Sequence, residues 1–230
     1  MQPSPVPEAS IAGLPLVTIV ALGVLSLLPL VFMTTTSFLK ISVVFSILRN
    51  ALGAGQVPST TVVSALAAIL TLYVMAPVGS AMIDATAPSF ARIDARDPLA
   101  SSDAVVESFE LGLAPLRGFL ERNAAARERA LFLDLARRAR PAEQRASVGE
   151  HDLLVVLPAF VITELSEAFQ IGFLVFIPFL VVDMVVANVL LALGMHMLSP
   201  TQVSMPFKLL LFVLVDGWYL LARALVLGYA

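Results

Sequence analysis

From Leu153 to Leu193 the chain is almost wholly apolar, with Glu164, Glu167, Gln170, Pro178, Asp183 and Asn188 as its main interruptions. A helix needs roughly 20 residues to cross the hydrocarbon core of a bilayer. The run is therefore too long for one crossing and far too apolar to stand bare in water. Its carboxylates add a second constraint, because ionised groups in lipid are costly and usually face protein or a cavity. Helices of this kind are expected to bury much of their surface against other protein.

Charge is distributed to match. The stretch from Asp84 to Asp152 holds twelve of the seventeen acids and ten of the fourteen bases. Outside it stand only Glu8, Lys40, Arg49, Glu164, Glu167, Asp183, Lys208, Asp216 and Arg223. With 59% hydrophobic and 13% charged residues, the chain belongs to the membrane class. The expected organisation is all-α and membrane-associated. Hydrophobic helical hairpins over 1–83 and 153–230 flank a small helical, extracytoplasmic insert over 84–152. A net charge of −3 gives no reason to expect a nucleic-acid partner, and the absence of cysteine excludes disulfides and thiolate metal sites. The first residues lack a basic n-region, so a cleaved secretory signal is not expected.

Within the first half, Leu14–Met33 can span, with Pro29 expected to kink or end the helix. Thr34-Thr-Thr-Ser37 interrupts it, and Phe38–Leu52 follows. Gly53-Ala-Gly55 and Pro58 signal a break, with Ser59 as an N-cap ahead of a second apolar helix over Thr60–Ile83. In the insert, Val106, Phe109, Leu113, Leu116 and Leu120 give one apolar face, while Pro115 and Gly118 argue against a single straight helix. Met195–Pro206 reads as a loop and Phe207–Tyr229 as a last apolar helix. Lys40, Arg49 and Lys208 mark one side as cytoplasmic by the positive-inside rule, leaving the insert and both termini outside.

Catalytic chemistry finds no foothold. There are two histidines, His151 and His196, and no nucleophile-elbow, zincin or phosphate-loop spacing. Glu164 and Glu167 share a helical face, and interhelical salt bridges are their simplest role. Asp216 and Arg223, seven residues apart, are read as a structural ion pair or an interface contact. Met195-His196-Met197 offers soft donors that copper(I) would accept, against which stands the simpler use of methionine as adaptable packing. A solute transporter is the rival class, with Asp183, Asn188 and Asp216 along an ion path. The two halves do not repeat each other as many transporter halves do.

Several long strings resemble the SctR/FliP family of type III export-apparatus subunits. They are Thr36–Gly53, Leu72–Gly79, Leu157–Leu165, Ala168–Phe173, Ile177–Phe179 and Ser204–Trp218, with Gly112–Arg117 as a fragment in the insert. Tyr73–Gly79 is more similar to the injectisome branch than to the flagellar one. The resemblance implies a homo-oligomeric ring, expected to be a pentamer, assembled in the bacterial inner membrane with S-type and T-type subunits. U-type and V-type subunits would lie nearby. The ring would pass unfolded proteins out of the cytoplasm, with no enzyme activity, cofactor or metal of its own. It further implies that Glu164 and Lys208 pair between neighbouring subunits. The loop at Met195, His196 and Met197 would form a pore-closing gasket. His196 departs from the family's run of methionines there, and a ring of protonated imidazoles would repel itself and wet the constriction.

Overall fold

The computed structural model describes residues 14–53, 58–90 and 102–229. Eight α-helices and a 3-10 turn account for nearly all of them: α1 (Leu14–Thr35), α2 (Phe38–Leu52), α3 (Thr60–Phe90), α4 (Ser102–Asn123), α5 (Ala126–Arg138), the turn Ala142–Ser147, α6 (Leu153–Ala192), α7 (Pro200–Leu214) and α8 (Gly217–Leu227). No strand occurs among the described residues. Two helices, over Thr60–Ser89 and Leu153–Ala192, are long and apolar enough to cross a membrane. The pairs α1–α2 and α7–α8 are bent by 73° and 60°, and each could form a further broken span.

α2 is the centre of the fold. Lys40, Ile41, Val44, Phe45, Leu48, Ala51 and Leu52 are buried along it, a three- and four-residue rhythm that leaves only a narrow outer strip. Val63 and Ala67 of α3, Ala168 and Phe179 of α6, Phe212 of α7, and Leu221 and Leu225 of α8 complete this core. In the polar break before α2 the threonines are satisfied locally, while the buried Ser37 hydroxyl has no hydrogen-bond partner among the described residues. The hydroxyls of Thr34, Thr35 and Thr36 donate to the carbonyls of Leu30 (2.9 Å), Val31 (2.7 Å) and Phe32 (2.6 Å), so three threonines sit in apolar surroundings without orphaned groups. Gly53 ends α2 in the left-handed region at φ 69°, the usual helix-stopping use of glycine. Residues 54–57, including the rest of the Gly53–Gly55 break, lie outside the described residues.

Several sequence expectations need correction. α1 runs through Pro29 to Thr35. α3 does not stop at Ile83 but continues to Phe90, because α4 folds back along it. The methyl of Thr86 lies 2.8 Å from where a Cβ on Gly112 would be, while Phe119 and Leu120 pack with Val74 and Val78. The pair is thus an antiparallel hairpin that carries α4 unbroken through Pro115 and Gly118. The long apolar run is one uninterrupted 40-residue helix, α6, containing Pro158 and Pro178; at 1.5 Å per residue this is about 60 Å. Finally, Met195–Pro206 is only partly loop, since Pro200 starts α7 and Pro206 lies inside it. The last apolar segment is two helices. The break falls at Asp216, which has φ 52°, a left-handed conformation that aspartate tolerates better than most side chains. Gly217 follows because the Phe212 ring lies 2.1 Å from where its Cβ would be.

α6 has two unlike halves. Val155, Val156, Ala159, Phe160, Thr163, Glu164 and Ala168 are buried in its first half, but beyond Gly172 only Phe179 and Leu190 are. At Gly172 α6 comes close against α2, with Ile47 Cδ1 2.3 Å from where a Cβ would stand. Gly172→Leu should therefore push these helices apart. Overpacking of this kind typically costs about 1–3 kcal/mol, to be read as a lower unfolding midpoint in detergent, and Ile47→Ala in the same chain should recover part of the loss.

Candidate functional site

Three features carry the chemistry: a buried charge cluster at the start of α2, a second at its end, and an exposed tip beyond α6.

In the first cluster, Lys40 is buried and its Nζ meets Glu164 Oε1 at 2.9 Å and Glu167 Oε2 at 2.6 Å. The hydroxyl of Tyr229 donates to the other oxygen of Glu164. The Tyr229 ring lies under the ammonium, 4.3 Å from Nζ to the ring centroid, and stacks on Phe119 at 5.9 Å. One ammonium therefore ties α2 to α6, and Tyr229 brings in the end of the chain and the α4 hairpin. Above it, the Thr163 hydroxyl accepts from the Ala125 amide at 3.0 Å, fixing the α4–α5 turn on α6. Interhelical salt bridging, the simple reading of Glu164 and Glu167, is what the structure shows. The part of Tyr229 was not legible, since nothing in the sequence links it to a glutamate 65 positions earlier.

The second cluster closes the other end of α2. Lys208 of α7 is buried, with Nζ 2.6 Å from Asp183 Oδ2 and 3.0 Å from the Ala51 carbonyl. Ser204 donates to the other oxygen of Asp183 at 2.5 Å. The last carbonyls of a helix lack partners within it and carry partial negative charge. Lys208 thus caps α2 while neutralising Asp183 on α6, and three helices meet on one ammonium. Asp183, an isolated polar residue in the sequence, is one half of this site.

These contacts bear on the expected Glu164–Lys208 pair between subunits. Within one chain each has another partner, Lys40 and Asp183 respectively, so a contact between copies has to displace a buried ion pair. They also change the meaning of Lys40 and Lys208 as orientation markers, because both charges are spent inside the protein. Asp216 and Arg223 are both exposed, and no ion pair joins them among the described residues. Asp216 precedes α8, so the two do not share a helical face.

The tip lies at the opposite end of α6 from the insert. Gly194 takes φ 73°, and the amides of Met195 and His196 bond to the carbonyls of Leu190 (2.9 Å) and Gly194 (3.1 Å). This tight turn holds Met195, His196 and Met197 outward, and Met197 is 98% exposed. Beside it, α6 and α7 enclose an apolar groove of about 600 Å³ lined by Val181, Val185, Val189, Val203 and Phe207 among others. No group of three or more His, Asp or Glu that could hold a metal occurs among the described residues.

Such a chain is an all-α membrane protein whose charges are used to lock helices together and whose apolar tip is left uncovered. The FliP family matches residues 21–225, and the chain belongs to that family. It is 46% identical over 212 residues to the Yop proteins translocation protein R of Yersinia pestis, covering 92% of this chain and 94% of the relative. The hypersensitivity response secretion protein HrcR of Ralstonia nicotianae is 42% identical over 205 residues (89% and 93%). The virulence protein YscR of Salmonella typhimurium is 41% identical over 221 residues (96% and 100%). These names belong to the injectisome branch rather than the flagellar one.

Lys40→Met should leave two carboxylates without their cation. Breaking a buried pair from one side costs about 3–5 kcal/mol, seen as a lower midpoint of thermal unfolding in detergent. Lys40→Met combined with Glu164→Gln should unfold at a higher temperature than Lys40→Met alone.

Proposed function

We propose that this chain is a pore-forming subunit of a type III secretion export gate, through which unfolded proteins leave the bacterial cytoplasm. The observation that carries the reading is the tip: Met195, His196 and Met197 stand exposed beyond an apolar groove in a chain whose relatives are named for translocation and secretion. In this reading copies of the chain form a ring, a pentamer by resemblance, joined by S-type and T-type subunits with U-type and V-type subunits nearby. The insert over 84–152 faces the extracytoplasmic side, and the tip lies at the other end of α6. Converging tips close the pore. Thioether side chains are apolar enough to exclude water and flexible enough to deform around a passing peptide, and a hydrophobic constriction gates by dewetting.

The transporter reading is weaker. Of its polar candidates inside α6, Asp183 is held by Lys208 and Ser204 and Asn188 is exposed; Glu164 is held by Lys40 and Tyr229, so the two carboxylates act as structural anchors. Asp216 lies on an exposed bend rather than inside a helix.

Met195→Ala with Met197→Ala should raise small-ion leak through assembled complexes while leaving assembly intact, measured in cells or reconstituted membranes. His196→Met should lower any leak that appears on acidification. An unchanged leak in the double alanine variant would remove the tip from the gate.

A further inference from the structure

Four cations lie outside the charged insert, and three of them are engaged within the chain. Lys40 and Lys208 hold their carboxylates, and Arg49 donates to the Thr60 hydroxyl at 2.7 Å. Arg223 differs. It is exposed on α8 and makes no ion pair among the described residues. It stands at a groove of about 440 Å³ between α3 and α8, among Leu70, Tyr73, Tyr219 and Val226. A guanidinium on an otherwise apolar surface calls for a carboxylate from outside.

The matching excess lies on α6. Lys40 serves two carboxylates, so the first cluster carries one more negative than positive charge. Glu164 is buried, but the side chain of Glu167 is 49% exposed and gives Lys40 only one oxygen. Its other oxygen makes no hydrogen bond or ion pair among the described residues, and further along α6 Phe173 and Leu174 are 64% and 67% exposed. Among its described residues each copy thus carries, besides the exposed Asp216 at the α7–α8 bend, a surplus carboxylate beside an apolar face and an unpaired cation beside an apolar groove.

We propose that Glu167 of one copy docks on Arg223 of a second copy, seating the α6 face around Phe173 and Leu174 in the α3–α8 groove. The second copy is the fitting occupant because a head-to-tail contact neutralises both charges on every chain, and such heterologous contacts generate rings when they close. An arginine fork suits a carboxylate that still has a free oxygen. The inference rests on the ring reading above.

The chain contains no cysteine, which makes the test direct. Chains carrying both Glu167→Cys and Arg223→Cys, oxidised mildly in native membranes, should give a ladder of disulfide-linked multimers on a non-reducing gel. Co-expressed single-cysteine chains should give heterodimers and nothing larger. In parallel, Glu167→Arg or Arg223→Glu alone should weaken the oligomer about tenfold, as for a close charge pair at an interface, and the double swap should restore it. A disulfide within one chain, or an adduct only with another subunit, would overturn the contact. So would multimers by size that never cross-link, although the ring would then stand. Complexes that are monomeric by size would bring down the ring reading itself, and the contact with it.

Discussion

Everything else in the structure hangs on how α2 is held. A buried lysine grips each end, Lys40 on its own first turn and Lys208 reaching in from α7. A buried ammonium is tolerable only when paired and hydrogen-bonded, and each of these meets that requirement through carboxylates of α6. Glu164 and Asp183 lie 19 positions apart on one continuous helix (183 − 164), about 28 Å along its axis. α6 therefore acts as a strut carrying both acids, and α2 is strapped to it at two points with Phe45, Leu48, Ala168 and Phe179 packed in the core between them. Apolar contact alone would let such helices slide, because it is non-directional; two ion pairs of fixed position set the register.

That strapping frees the far part of α6 for work. Past Asp183 only Leu190 of the helix is buried, and with α7 it presents an apolar groove ending in the tight Gly194 turn. A stable base and an uncovered apolar tip are what the proposed ring subunit requires. The same division explains why the insert is not an independent unit. α4 lies back along α3 and α5 packs on α6, with the Ala125–Thr163 hydrogen bond at the turn, so the charged segment braces the hairpins that precede and follow it.

Much of this was legible in the sequence. The helical class, the apolar halves, the break at Gly53 and the role of Glu164 and Glu167 as salt-bridging residues all follow from pattern and charge. The misreadings share a cause. Pro115 and Gly118 in α4, Pro178 in α6, and Pro206 in α7 are local stop signals overridden by packing against neighbouring helices. The bend at Asp216 does carry a local signal, the Asp216-Gly217 pair that commonly marks a turn, and it is fixed by the Phe212 ring filling the space beside Gly217. Partners such as Tyr229 for Glu164, or the Ala51 carbonyl for Lys208, are set by tertiary proximity across 65 and 157 positions. No window of sequence contains them.

Amide hydrogen exchange of α2 tests the two-point clamp most directly. If the lysines hold this helix, the amides from Val44 to Leu52 exchange among the slowest in the detergent-solubilised protein. Lys208→Met then accelerates those nearest Leu52, and Lys40→Met those nearest the first turns. Exchange in α2 as fast as in α1, or rates at both ends unmoved by either substitution, would contradict it.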